Sequence, residues 1–124
     1  MHLDTHVVAW LYSGDTRRFP ARVLEMIETE SLAVSPMVVL ELQFLHEIGR
    51  LSEPGQSVVE DLAHRIGLAV ASTPFPTVVS FARSIGWTRD PFDRLIAAQA
   101  RAEDARLLTA DESILGNLDL AVWG

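Results

Sequence analysis

At 124 residues, 48% of them hydrophobic, the chain is long enough for one packed core and too short for two, so residues 1–124 read as a single domain. It holds no cysteine, which excludes disulfides, thiolate zinc sites and cysteine nucleophiles together. The net charge of −7 on its own argues against nucleic acid, and all ten basic residues are arginine.

In chain order, residues 1–4 read as a short buried strand, followed by a helix from Thr5 to Ser13 that Gly14 ends. Asp15 or Thr16 is placed to cap a second helix through Glu30, with Phe19, Val23, Leu24 and Ile27 at helical spacing. Leu32-Ala33-Val34 is a second strand. Ser35 then caps a helix with Pro36 in its first turn, running to Ile48 and closed by Gly49. Gly49, Pro54 and Gly55 make residues 49–56 the expected flexible joint. A helix is predicted from Ser57 to Ile66, a strand at Leu68–Ala71, a helix from Thr73–Pro76 to Gly86, and another from Asp90 to Glu103. A strand at Arg106–Thr109, a short helix at Glu112–Leu115 and a strand at Leu120–Trp123 complete the chain.

Short apolar strands separated by helices imply βαβ units and a parallel sheet covered on both faces. No run reaches the roughly 18–20 apolar residues of a membrane helix. The first residues lack the regions of a signal peptide, so a cytoplasmic protein with no membrane contact is expected.

The acids stand out against this frame. Asp4 and Asp111 each follow a strand, at the sheet edge where ligands of open α/β folds bind. Each also sits where a helix N-cap belongs, and one residue can serve both ends. Glu41 has Phe44, Leu45 and Ile48 on its helical face, an apolar setting in which a carboxylate needs a partner. Asp93 faces Ile96, Ala97 and Ala100. Asp90 precedes Pro91 and suits the N-cap, which leaves Asp93 the better ligand candidate. Four converging carboxylates would repel unless a cation held them, and hard divalent ions such as Mg²⁺ choose oxygen donors. Such an ion activates water and stabilises phosphoryl oxygens.

Taken together, Leu3-Asp4-Thr5-His6-Val7, Leu40-Glu41-Leu42, Asp90-Pro91-Phe92-Asp93-Arg94-Leu95-Ile96-Ala97-Ala98-Gln99-Ala100 and Leu108-Thr109-Ala110-Asp111 resemble a PIN-domain ribonuclease of the VapC toxin type, over essentially the whole chain. The resemblance implies a three-layer αβα PIN-like fold with a short parallel sheet and helices on both faces. It implies an acidic quartet of Asp4, Glu41, Asp93 and Asp111 as catalytic metal ligands, with Asp90 as a further acid and Thr109 and Thr5 as supporting hydroxyls. It implies a Mg²⁺- or Mn²⁺-dependent endoribonuclease acting on RNA, a VapB-like antitoxin as partner within a toxin–antitoxin system, and a homodimer. A basic antitoxin would make the acidic charge intelligible.

Arg17, Arg18, Arg22, Arg89 and Arg94 are the candidate RNA contacts. Arginine-only usage fits a GC-rich coding bias as well as bidentate phosphate binding. A receiver domain and a haloacid-dehalogenase-like phosphatase both need a lysine, which the chain lacks. A PIN nuclease of RNA processing without an antitoxin, and an inactive PIN interaction module, remain the alternatives.

Overall fold

The computed structural model describes every residue, Met1–Gly124. Five two-residue strands, β1 (His2–Leu3), β2 (Ala33–Val34), β3 (Ala69–Val70), β4 (Leu107–Leu108) and β5 (Ala121–Val122), form one parallel sheet in the order β3-β2-β1-β4-β5. The register sets His2 beside both Ala33 and Leu107, and Leu3 beside Leu108. The chain winds outward from β1 to β3, then returns to place β4 on the other side of β1. The strand order therefore reverses between β1 and β4, the switch point at which open parallel sheets leave a crevice beyond their carboxyl ends.

Seven helices cover the sheet: α1 (Thr5–Ser13), α2 (Ala21–Thr29), α3 (Pro36–Glu47), α4 (Gly55–Ile66), α5 (Phe75–Ala82), α6 (Pro91–Ala102) and α7 (Glu112–Asn117). Leu3, Leu107 and Leu108 are fully buried, as expected of central parallel strands with helices on both faces. The buried stripe of α6, Ile96, Ala97 and Ala100, is mostly alanine, so this helix lies close against its neighbours. No helix is long and apolar enough to cross a membrane.

All five strands are shorter than the sequence expectation, and four helices differ from it by more than a capping residue. The helix expected from Asp15–Thr16 to Glu30 is a 3₁₀ turn, Thr16–Arg18, then a break, then α2. Pro20 is the reason: it holds Phe19 in extended backbone (φ −103°, ψ 122°) and has no N–H to give the helix. Asp15 consequently caps nothing with its side chain and instead binds Arg17 and Arg18. Helix α4 starts at Gly55 rather than Ser57, α5 stops at Ala82 short of Gly86, and α7 runs through Gly116.

Gly55 also explains how α4 meets α3. A Cβ there would lie 2.5 Å from the Val39 carbonyl oxygen and 2.8 Å from the Gln43 nitrogen, so only glycine allows this approach. The loop expected to flex is tied down. Gly49, in the left-handed region at φ +81°, donates to the His46 carbonyl, and the Arg50 N–H donates to the Leu45 carbonyl at 2.8 Å. His46 Nδ1 donates to the Leu51 carbonyl, and the Gly55 N–H to Gln43 Oε1.

Candidate active site

Three helix N-termini meet the carboxyl edge of the sheet, and each brings an aspartate. Asp4 follows β1 directly and is the N-cap of α1, its Oδ1 accepting from the Thr5 N–H at 2.8 Å. Asp111 follows β4 and caps α7, accepting from the Ile114 N–H at 2.9 Å. Asp90 caps α6 through the Phe92 N–H at 2.9 Å. The cap reading and the site reading thus coincide: a residue that ends a parallel strand and starts a helix has its side chain beyond the sheet edge. The partial positive charge of each helix start offsets part of the repulsion among the acids.

Asp93 differs from these three. It lies in the first turn of α6, half-buried, and no donor hydrogen-bonds its carboxylate. Burial, and then the charges of Asp4, Asp90, Glu41 and Asp111, push its pKa up to about 7. The same two causes raise Asp4, although Thr109 and the Thr5 N–H pull the other way. Glu41 is also raised, by burial first and then by Asp4 and Asp90, against the pull of Thr5. The four acids of the expected quartet, with Asp90, are therefore mutually coupled in one cluster.

Two threonines organise it. Thr109, fully buried, donates its hydroxyl to Asp4 Oδ2 at 2.7 Å and accepts from the Asp111 N–H at 3.1 Å. Thr5, also fully buried, donates its hydroxyl to Glu41 Oε1, which joins α1 to α3. Glu41's apolar neighbours turn out not to be core. Phe44 and Ile48 are 46% and 50% exposed, and what makes Glu41 tolerable is its turn toward Thr5 and the cleft.

The donor set suits a hard divalent cation: oxygen ligands only, more negative charge than the surrounding cations offset, and one carboxyl held near pKa 7. The fit is one of chemistry rather than of a closed cage, since no three acidic or histidine side chains stand close enough together to grip an ion as they are.

A cavity of about 210 Å³ opens on Asp4, Ala110 and Asp111, walled by His6 and Trp10. From the sequence His6 stands only within the first motif and Trp10 only as a core candidate; neither has an expected role in the site. Their spacing of four, counted from a strand-ending aspartate, was the available signal. The expected arginines are mostly engaged elsewhere. Arg94 donates to the Ala82 carbonyl at 2.9 Å and ties α6 to the end of α5. Arg89 donates to the Gly86 carbonyl. Arg17 and Arg18 pair with Asp15, and Arg18 also lies over the Trp10 ring at 5.0 Å. Arg22 is exposed with no side-chain partner.

The model of the PIN domain family matches residues 1–117. The chain belongs to the PIN-domain family. It is 33% identical over 115 residues to Ribonuclease VapC22 of Mycobacterium tuberculosis, an alignment spanning 90% of this chain and 87% of that protein, and is of the VapC type. Among solved structures, VapBC2 of Rickettsia felis, crystallised with a DNA fragment from its promoter, has the same fold. That match has a TM-score of 0.72 and 19% identity, and covers 99% of this chain and 98% of the other. The PIN domain here is thus a short parallel sheet between helical layers, with Asp4 and Asp111 flanking its switch point.

Proposed function

We propose that this PIN domain, residues 1–124, is a divalent-metal-dependent endoribonuclease of the VapC toxin type, with Asp4, Glu41, Asp93 and Asp111 as its acidic quartet. The observation that carries the reading is the single coupled cluster of carboxylates at the β1/β4 switch point, in a chain one-third identical to a VapC ribonuclease.

Mg²⁺ or Mn²⁺ would be held by the quartet, with Asp90 at the margin, and when bound supplies charge neutralisation at phosphoryl oxygens and a more acidic water. The chain's own residues do the rest. Thr109 fixes the orientation of Asp4 and the backbone of Asp111 with one hydroxyl. Thr5 holds Glu41 toward the same cleft. Without an ion Asp93 holds a proton up to about pH 7; deprotonated, it would offer the ion an oxygen ligand. Asp4 is only 5% exposed and forms part of the cavity wall, which limits the water that competes for its carboxylate.

By analogy with the VapBC2 assembly, a VapB-like antitoxin is the proposed protein partner; the cytoplasm is the location proposed for an enzyme acting on RNA. A homodimer is proposed from a surface stripe. Leu40, Phe44 and Ile48 recur every four residues along α3 and are 54%, 46% and 50% exposed, and Phe75 on α5 is 62% exposed.

The test is cleavage of a structured RNA by protein purified free of any antitoxin, with Mg²⁺ or Mn²⁺ added. Cutting that stops with EDTA and returns with the ion is the expected result. Cutting undiminished by thorough chelation overturns the metal mechanism, and no cutting of any RNA with any divalent ion overturns the nuclease reading.

A further inference from the structure

Beside the acidic cleft lies a second cavity, of about 260 Å³, and the two share a wall. His6 and Trp10 line both. On the far side of that wall the character changes. Leu45 and Leu51 give an apolar surface, Ser13 a hydroxyl, and Arg50 the one arginine of the lining.

Arg50 differs from the other arginines. Arg17, Arg18, Arg65 and Arg106 are in ion pairs, and Arg89 and Arg94 donate to backbone carbonyls. Of the four with no side-chain partner, Arg22, Arg50, Arg83 and Arg101, only Arg50 lines a cavity. Its backbone is fixed by the helix-ending bonds of Gly49 and Arg50 itself, and Leu51 by His46, so the cation stands on a rigid rim. Trp10 is equally fixed, with ring centroids 6.1 Å from Phe19 and 6.0 Å from Trp123 in edge contacts.

We propose that this second cavity binds a nucleotide of the RNA adjacent to the scissile phosphate, with Arg50 holding its phosphate and its base lying against Trp10, Leu45 and Leu51. This rests on the nuclease reading and adds to it a binding residue that the family motif does not mark. The electrostatic logic is simple. An acidic cluster repels a polyanion, so affinity must come from a cation just outside it, and an aromatic wall next to a cation is how single-stranded nucleic acid is held without sequence readout.

The experiment measures binding of a short fluorescent single-stranded RNA by anisotropy across a salt series, and steady-state cleavage with Mn²⁺, for the wild type and for Arg50→Ala, Arg50→Lys and Arg83→Ala. Arg83 is also exposed and unpartnered, and lines neither cavity. Arg50→Ala should weaken binding about tenfold and flatten the salt slope by roughly 0.7–1, with KM raised and kcat unchanged. Arg50→Lys should restore the salt slope, and Arg83→Ala should change neither quantity. A dinucleotide without terminal phosphates keeps only the scissile phosphate and lacks the neighbouring one that Arg50 would hold, so it should not distinguish Arg50→Ala from wild type. Equal losses at Arg50 and Arg83 would reduce the effect to bulk charge and overturn the subsite. So would RNA binding unchanged by Arg50→Ala, including the case where only capture of a protein partner is weakened. A wild type that binds and cuts RNA while Arg50→Ala behaves identically defeats the subsite alone; a wild type that does neither defeats the nuclease reading and the subsite together.

Discussion

The Thr109 hydroxyl donates to Asp4 Oδ2 at 2.7 Å while accepting from the Asp111 N–H at 3.1 Å, so one buried oxygen links the two aspartates that flank the switch point. Thr109→Val keeps the shape and removes both bonds. Each buried group left unpaired costs about 1–3 kcal/mol, so thermal or urea unfolding should show a loss of that order, with cleavage reduced. Thr109→Ser should retain most of both. A valine variant as stable and active as wild type would remove the hydroxyl from the site.

Asp93 makes the apo protein sensitive to pH. Its pKa in the folded chain is about 7 against an ordinary 3.8, so between those values the folded state binds more protons than the unfolded one. Stability then falls as pH rises through that window and stays reduced above it. Asp93→Asn removes the carboxylate without breaking a hydrogen bond. Urea melts should find it more stable than wild type at pH 8, with the gap closing toward pH 4. The opposite order at pH 8 would show that Asp93 is stabilised by something other than its neighbours' charges allow.

The two acids of α6 should separate in kinetics. Asp90 is an exposed N-cap, and asparagine caps as well as aspartate. Asp90→Asn should therefore keep the fold and much of the cleavage activity, whereas Asp93→Asn should lose at least about 10²-fold in kcat, as expected for loss of a group at the reacting centre. Equal losses at matched stability would make Asp90 a full member of the site.

Two glycines test the packing. Gly55→Ala drives a Cβ into backbone atoms of α3 and should destabilise by roughly 1–3 kcal/mol. Gly116 lies inside α7 with nothing within 4 Å of the same position, so Gly116→Ala should stabilise by about 0.5–1 kcal/mol. Thermal melts of the pair give opposite signs if the approach of α4 to α3 is as close as described.

Most of the architecture was legible because the punctuation was strong: Gly14, Ser35-Pro36, Gly67 and Asp90-Pro91 bound their helices where expected. Asp4 and Asp111 were legible for the same reason, since a cap after a strand has one place to be. The break at Pro20 is masked by the apolar spacing of Phe19, Val23 and Ile27, which continues across it; all three are buried, yet Phe19 is extended and the helix starts only at Ala21. The apolar spacing around Glu41 gives only part of the reason for its position. Its apolar neighbours are surface, and only the distant Thr5 explains its position. The unpartnered state of Arg50 and the engaged state of Arg94 depend on contacts 12 residues away or on cavity walls drawn from two helices, which local spacing does not encode.

The hydrogen bond between Thr109 and Asp4 spans 105 positions of the chain. Strand β1 is made first, yet its second neighbour in the sheet, β4, is made almost last. Such distant pairing forms late and slowly compared with local contacts. A ribosome midway through the message carries Asp4 and Glu41 but neither Asp93 nor Asp111, and nothing yet orients the first. If the quartet acts as proposed, a chain stopped before β4 lacks Asp111 and the hydroxyl that orients Asp4, and has no complete site with which to cut RNA.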